Sequence, residues 1–260
     1  MKEALESIRD WAGQHGLNLI GAIPIERYDR EVPQEARLSQ IDRRARAVVV
    51  IGNGGGEFWR HYQHYLERHP EHAQRDHPLD DYTRALVNDE LVARLLDRTI
   101  YTRALFPFVG EPVQVRFMDL ARLAGLGAPS LLGLLVHPIY GPWIAMRAAL
   151  LIGLELDAAG SALNFDPCPQ CASRACIAAC PTGAIGRAGW DADRCADYRI
   201  MVPAACAGAC HARIACVLAP QACYPADELA YHQERSLRAI RAYRSSGTAT
   251  VRQSPVRKTD

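Results

Sequence analysis

The chain has almost no lysine. Among 260 residues only Lys2 and Lys258 carry an ε-amino group, so the thirty basic side chains are nearly all arginine. Chemistry that needs an internal lysine, such as a Schiff base or the phosphate-binding lysine of a P-loop, is excluded. An excess of either charge is also missing. Thirty basic against 29 acidic side chains leave a formal +1, which gives no strong signal for nucleic-acid binding by phosphate neutralisation. The most apolar stretch, 131–156, is broken by His137, Pro138, Pro142 and Arg147. It therefore falls short of the roughly 20 consecutive apolar residues of a membrane span. There is no apolar leader either: MKEALESIRDWAGQHG is acidic and amphipathic, and the expected compartment is the reducing cytoplasm. Cysteine is absent from the first 167 residues, and all nine then fall between Cys168 and Cys223. An odd number without a secretory signal argues against a disulfide framework.

What is present suffices for a folded protein, since 49% of the residues are hydrophobic and 23% charged. Leu5, Ile8, Trp11 and Ala12 recur at helical spacing before Gly16 stops the helix. A strand is expected at 17–25. The β-branched run at 45–52 predicts a central strand whose partner is parallel or buried. Leu79 to Ile100 reads as one long helix capped by Asp80 or Asp81. Another helix is expected from Val113 to Ala124, with Pro112 at its start and Gly125 at its stop, although Val113, Val115 and Phe117 also alternate as in a strand. Runs at 131–136 and 143–152 flank HPIYGP at the spacing of a hairpin. A helix is expected from Asp227 to Tyr243. The fold class is α/β (or α+β), with an N-terminal domain at 1–160, a small cysteine-rich module at 161–225, a C-terminal helix at 226–244 and a disordered polar tail at 245–260. The module has too few apolar residues to build a core, so a bound metal must organise it.

The strongest motif is CPQCASRACIAACPTGAI, with Cys168, Cys171, Cys176 and Cys180 followed by Pro181. Closely spaced thiolates ending in CP suit a cubane cluster, three capping one cube while the fourth reaches a second. The middle spacer is two residues longer than in the bacterial ferredoxin run. Cys195, Cys206, Cys210 and Cys216 bring the total to eight, the number that two [4Fe–4S] clusters require. By analogy with two-cluster ferredoxins, Cys168, Cys171 and Cys176 share one cube with Cys216, and Cys180 joins Cys195, Cys206 and Cys210 on the other; Cys223 is left over. The alternative is structural zinc, which CxxC pairs also bind but which needs neither the CPTGAI ending nor eight thiolates. Five histidines between His61 and His77 lie in a polar, arginine-containing stretch and read as a solvated segment. His137 reads as a turn or core histidine rather than an axial ligand. GNGGGE at 52–57 follows a strand and would let a ligand approach the backbone, but it does not fit a dinucleotide fingerprint.

CPTGAI followed by DADRCADY resembles the iron–sulfur half of the epoxyqueuosine reductase and reductive dehalogenase-like family. ARLAGLG at 121–127 and LLVHPIYGPW at 134–143 extend the resemblance upstream, so that it covers roughly 15–220. It implies a ferredoxin-like module of two [4Fe–4S] clusters passing electrons to a cobalamin held by Gly125, Leu126, Gly127, Tyr140 and Gly141. It also implies Glu111 as the proton-donating acid, with Asp119 as the other carboxylate on offer, and a flavodoxin or ferredoxin as electron donor for a small-molecule substrate. Gly127 leads into Ala128, Pro129 and Ser130, where the family continues with a tryptophan, a glycine and a Lys-Asn pair. The C-terminal repeat domain of the long tRNA-modifying members is absent, and the chain looks like a shortened cousin. Two other readings stand beside this one: an electron-transfer protein without a corrinoid, and a reductase that processes cobalamin as its substrate.

Overall fold

The computed structural model describes residues 2–108, 115–156 and 163–245. Strands β1 (Leu19–Pro24), β2 (Ala47–Gly54) and β3 (Thr102–Leu105) belong to one sheet. Strands β4 (Ala128–Pro129) and β5 (Leu135–Val136) form a small ribbon, and β6 (Ile144–Ile152) completes the main sheet in the order β1-β2-β6-β3. Every neighbouring pair in it is antiparallel. The architecture is mixed α/β, with helices on both faces of this sheet.

All eight residues of β2 are buried, and the reason lies in the alternation of side chains across a strand. Val49 and Ile51, with Ala148, Leu150 and Ile152 of β6, pack with Ile8 and Trp11 of the helix Lys2–Gln14 and with Phe58 and Tyr62 of the helix Glu57–Arg68. Val48 and Val50, with Ala149 and Leu151, pack on the other side with Tyr28, Leu38 and Leu120. A strand covered on both faces reads as an unbroken apolar run, which is why 45–52 looked central. Its partners are buried, as expected, and antiparallel.

Three expectations need correction. Leu79 to Ile100 is not one regular α-helix: Pro78–Ala85 runs through a π-helical stretch, Leu86–Val92, into Ala93–Asp97. It starts on Pro78, a residue pre-set for a first turn, with Asp80 and Asp81 inside that turn rather than capping it. The next helix spans Phe117–Leu123, so Val115 precedes it, while Val113 lies outside the described residues. The runs 131–136 and 143–152 do not pair with each other. Leu135 and Val136 pair with Pro129 and Ala128, whereas β6 pairs with β2 and β3. The last helix, Ala226–Ser245, is one residue longer at its start and two at its end than expected, and the tail at 246–260 lies outside the described residues.

Two irregularities position the rest. Ile51 pairs with Ala148 and Gly52 with Met146, which leaves Arg147 as the extra residue of a β-bulge. Bulges re-aim side chains, and this one turns an arginine into the interior. The turn His137–Gly141 closes through reciprocal backbone bonds of 2.8 and 2.7 Å. Gly141 has φ +53, and a Cβ there would run into the Leu218 carbonyl. Left-handed strain plus that clash predicts that Gly141→Ala lowers stability by roughly 1–3 kcal/mol, measurable as a drop in Tm; an unchanged Tm would show that the turn tolerates a side chain.

Candidate metal centre and the polar chamber beside it

The cysteines lie on short helices and turns that follow one another without a core of their own. Cys168 is in the helix Pro167–Gln170 and Cys176 in Ala175–Ala179, with Cys180 just after it. Cys195 is in Ala192–Met201, which Asp191 caps by accepting from Arg194 N at 3.0 Å. Only Leu132, Ile185 and Ala212 are fully buried in the cluster that Cys176, Cys180, Cys210 and Cys216 pack against.

Tertiary structure sorts these thiols into two groups. Burial pushes the Cys176 thiol up, and so does the proximity of Cys216, Cys168 and Cys171. Cys216 is raised by burial and then by Cys168 and Cys171, against a backbone bond from Leu218 that favours the thiolate. A cavity of about 260 Å³ opens beside Cys168, Cys171, Cys176 and Cys216, with Leu131 and Leu132 in its wall. Cys206 is raised by burial and by Cys210, Cys195 and Cys180, with Arg199 opposing. Cys195 is raised by burial, with Cys210 and Cys180 adding to it and Trp190 and Arg199 acting the other way. Cys223 belongs to neither group; burial raises it, and its charged neighbours are Arg213 and Glu228.

Four thiols around one centre resist ionising together unless a cation sits among them. Among the described residues no three His, Cys, Asp or Glu side chains are gathered as ligands of a single ion. A tetrahedral zinc, with Zn–S near 2.3 Å, would hold its sulfurs within about 4 Å of one another. A cubane places each thiolate on its own iron and tolerates a wider spread. Eight thiols match the donor count of two cubanes, and four of them line the cavity. Backbone donors are already aimed at sulfur: Arg174 N donates to Cys171 Sγ at 3.4 Å, from a residue held at φ +44.

The other sequence candidates fall elsewhere. Glu111 lies outside the described residues. Asp119 pairs with Arg116 at 3.0 Å near the surface. Gly125, at φ +77, ends the helix Phe117–Leu123 with a backbone bond to Arg122 O, and Leu126 is buried in the core. A Cβ on Gly127 would meet Leu135 Cβ and Val136 O at 3.1 Å. Tyr140 lies over Gly54 and stacks on His137 at 5.3 Å between ring centres. At Gly127 the chain itself occupies the side from which a Cβ would project. His72 is buried and bonded to Pro78 O at 2.7 Å, while His64 pairs with Glu67 at 3.0 Å; the stretch expected to be a solvated loop is instead largely helical, with His72 in the interior.

One cluster escaped sequence reasoning. Arg147 is 8% exposed and donates from Nε to Asn53 Oδ1 at 2.7 Å, while its guanidinium lies 4.8 Å over the Phe58 ring. Glu228 has no exposure at all, and a Cβ on Gly56 would lie 3.6 Å from its Oε2. His232 Nε2 is 3.6 Å from Glu228 Oε1. Trp143 and Tyr224 stack edge-on at 5.6 Å, and Arg213 lies over both rings at 4.8 and 4.9 Å while donating to Pro142 O. Trp143 Nε1, Arg147 Nη2, both Glu228 oxygens and His232 Nε2 have no hydrogen-bond partner. Polar atoms buried this way are rare, and ordered water normally satisfies them.

No protein-family model and no curated protein sequence matches the chain. Solved structures do. An epoxyqueuosine reductase with a tRNA-Tyr stem loop matches at 16% identity and TM-score 0.53, over 87% of this chain and 66% of that one. The C. elegans B12-trafficking protein CblC matches at 12% and 0.54, over 96% and 100%. A reductive dehalogenase described as B12-dependent matches at 18% and 0.54, over 93% and 36%. The chain has the fold of these reductases. It spans about two thirds of the epoxyqueuosine reductase and about a third of the dehalogenase.

The chamber makes stability depend on pH. Burial first, then Arg147 and Arg213, holds His232 down at about 3; it is neutral, and its contact with Glu228 is not an ion pair. Burial pushes Glu228 up to about 7, with Arg147 and Arg213 opposing. A depressed base costs stability as pH falls from its unfolded value near 6.5, and a raised acid costs stability as pH rises from near 4.5 towards 7. Thermal unfolding across pH should show Glu228→Gln gaining Tm relative to wild type above about pH 7 and losing that gain below about pH 4.5. Equal Tm differences at both ends would mean that the carboxyl ionises freely.

Proposed function

We propose that this protein is an iron–sulfur oxidoreductase that relays single electrons through two [4Fe–4S] clusters to an acceptor bound by its α/β domain. One observation supports the reading: Cys168, Cys171, Cys176 and Cys216 line one cavity, while Cys195 and Cys206 are influenced instead by Cys180 and Cys210. Cubanes held there would supply one-electron transfer at potentials set by burial and by hydrogen bonds to sulfur. The chain's own residues would do the tuning. Arg174 N and Leu218 N donate towards Cys171 and Cys216. Arg199, buried and tied to Ser236 Oγ at 2.9 Å and Gln233 O at 2.7 Å, puts a fixed cation beside Cys195 and Cys206. That charge favours the reduced, more negative cluster. On this reading residues 161–225 are the ferredoxin-like module, 1–160 the domain it serves, and a flavodoxin- or ferredoxin-like protein in a reducing cytoplasm the electron donor. No helix among the described residues is long and apolar enough to cross a membrane.

Anaerobic reconstitution should yield close to eight iron and eight acid-labile sulfide per chain. Cys176→Ser, Cys180→Ser and Cys195→Ser should each lose about half of both, whereas Cys223→Ser leaves them unchanged. Stoichiometric zinc in protein purified without oxygen would overturn the proposal.

A second reading adds a corrinoid as acceptor. It is supported by the fold, which the chain shares with a B12-trafficking protein and a B12-dependent dehalogenase. Gly127 and Gly141 do not offer that group a bare face, because β5 lies against the first and Leu218 against the second. Titrating the reconstituted protein with cobalamin should therefore give no spectral change and no co-elution on gel filtration; tight binding would establish the second reading and a different cradle.

A further inference from the structure

The chamber at Glu228 lies against the cysteine segment, and Arg213 joins the two. Arg213 is in the short helix His211–Ile214, between Cys210 of one cysteine group and Cys216 of the other. Its guanidinium covers the rings of Trp143 and Tyr224, which wall the chamber. Arg213 is three residues from each of Cys210 and Cys216 in the chain, so charge added at either group falls on the segment that carries this arginine into the chamber.

Every other ionisable group around the carboxyl is identifiable. Arg147 comes from the bulge in β6 and Arg213 from its helix, and both favour the carboxylate. Asp227 and His232 share the helix Ala226–Ser245 with it. Asp80 and Tyr231 face the same arginine, Arg147, and Tyr224 lies between the arginines. The two cations and the low polarity oppose each other and leave Glu228 poised near neutral pH. His232, whose side chain is 29% exposed, connects this carboxyl to solvent. A neutral imidazole accepts a proton at one ring nitrogen and releases one from the other, so it passes protons inward without carrying net charge. Small side-chain rotation closes its 3.6 Å gap to Glu228.

We propose that Glu228 is a proton-loading site, filled from solvent through His232 when an electron enters the cysteine segment beside Arg213. The proposal rests on the two-cluster reading above. A low-potential one-electron donor reduces a cluster by one electron. Glu228 carboxylate then takes one proton from water-borne hydronium and becomes the neutral acid, so the charge of the segment and chamber together is unchanged. When the electron leaves for the acceptor, the proton is released with it. The unpartnered atoms of Trp143, Arg147, Glu228 and His232 are the groups to which ordered water would bond along that path.

The experiment is a redox titration of the reconstituted full chain with viologen mediators, read by visible absorbance and repeated across pH, with iron counted on the same sample. A tenfold gain in the proton affinity of Glu228 on reduction predicts a midpoint potential lower by about 59 mV at about pH 8.5 than at about pH 5.5. Glu228→Gln should abolish that dependence while keeping the iron. His232→Phe should keep the equilibrium shift but slow the proton uptake that follows a rapid reduction, seen with a pH-indicator dye. Eight iron with a pH-independent potential in the wild type would overturn the proton-loading site alone, as would a Glu228→Gln protein that retains the shift. Should Glu228→Gln fail to fold, the wild-type profile still decides. Protein that holds no iron would overturn the cluster reading, and this inference with it.

Discussion

The end of β2 has to be bare. Gly54 and Gly56 have neighbours where a side chain would be: the Tyr140 ring over the first, and Pro225 with Glu228 over the second. Through these approaches the cysteine segment and the last helix come down onto the sheet. Arg213 adds two hydrogen bonds to Pro142 O, and Leu218 meets Gly141. A segment whose buried apolar residues are few, Ala184, Ile185, Ala212 and Tyr224 among the described ones, cannot stand free of that surface. Its fold is therefore a property of the junction and of whatever its thiols hold.

The same junction carries an electrostatic cost. Burying Arg147 and Glu228 away from water opposes folding, and replacing such a pair with apolar residues often stabilises a protein. The bulge in β6 makes the burial of Arg147 possible, and the unbroken ladder on either side of it shows how local the departure is. Trp59, which donates to Asp227 Oδ2 at 2.7 Å, and Tyr231, which lies 5.1 Å from the Trp59 ring, hold the helix bearing Glu228 in place. Aromatic and hydrogen-bonded contacts thus surround a site that would not be stable alone. This is the pattern expected where charge is retained for a task rather than for stability.

The two halves of the functional reading rest on different kinds of observation. The cluster assignment stands on thiol grouping, a cavity beside one group and backbone donors turned towards sulfur. The link to corrinoid proteins stands on fold alone, at 12–18% identity, and the glycines that carried it in the sequence turn out to serve the chain's own packing.

Much of this protein is written locally in its sequence. Helical spacing of Ile8, Trp11 and Ala12, the apolar run of β2 and the spacing of Cys168, Cys171, Cys176 and Cys180 are short-range signals, set by residue period and by the reach of a thiolate loop. They sufficed to place the first helix and the central strand. Tertiary structure alone decided the antiparallel pairing, the bulge that turns Arg147 inward, and the burial of Glu228 beside His232. His232 shares a helix face with Leu229, Leu237 and Ile240, which the spacing alone marks as the inner one, but nothing local marks Glu228 as interior. Their partners come from far away, as Trp59 reaches Asp227 across 168 residues. Burial is a sum over such distant contacts, so a polar chamber has no local pattern by which a sequence could announce it.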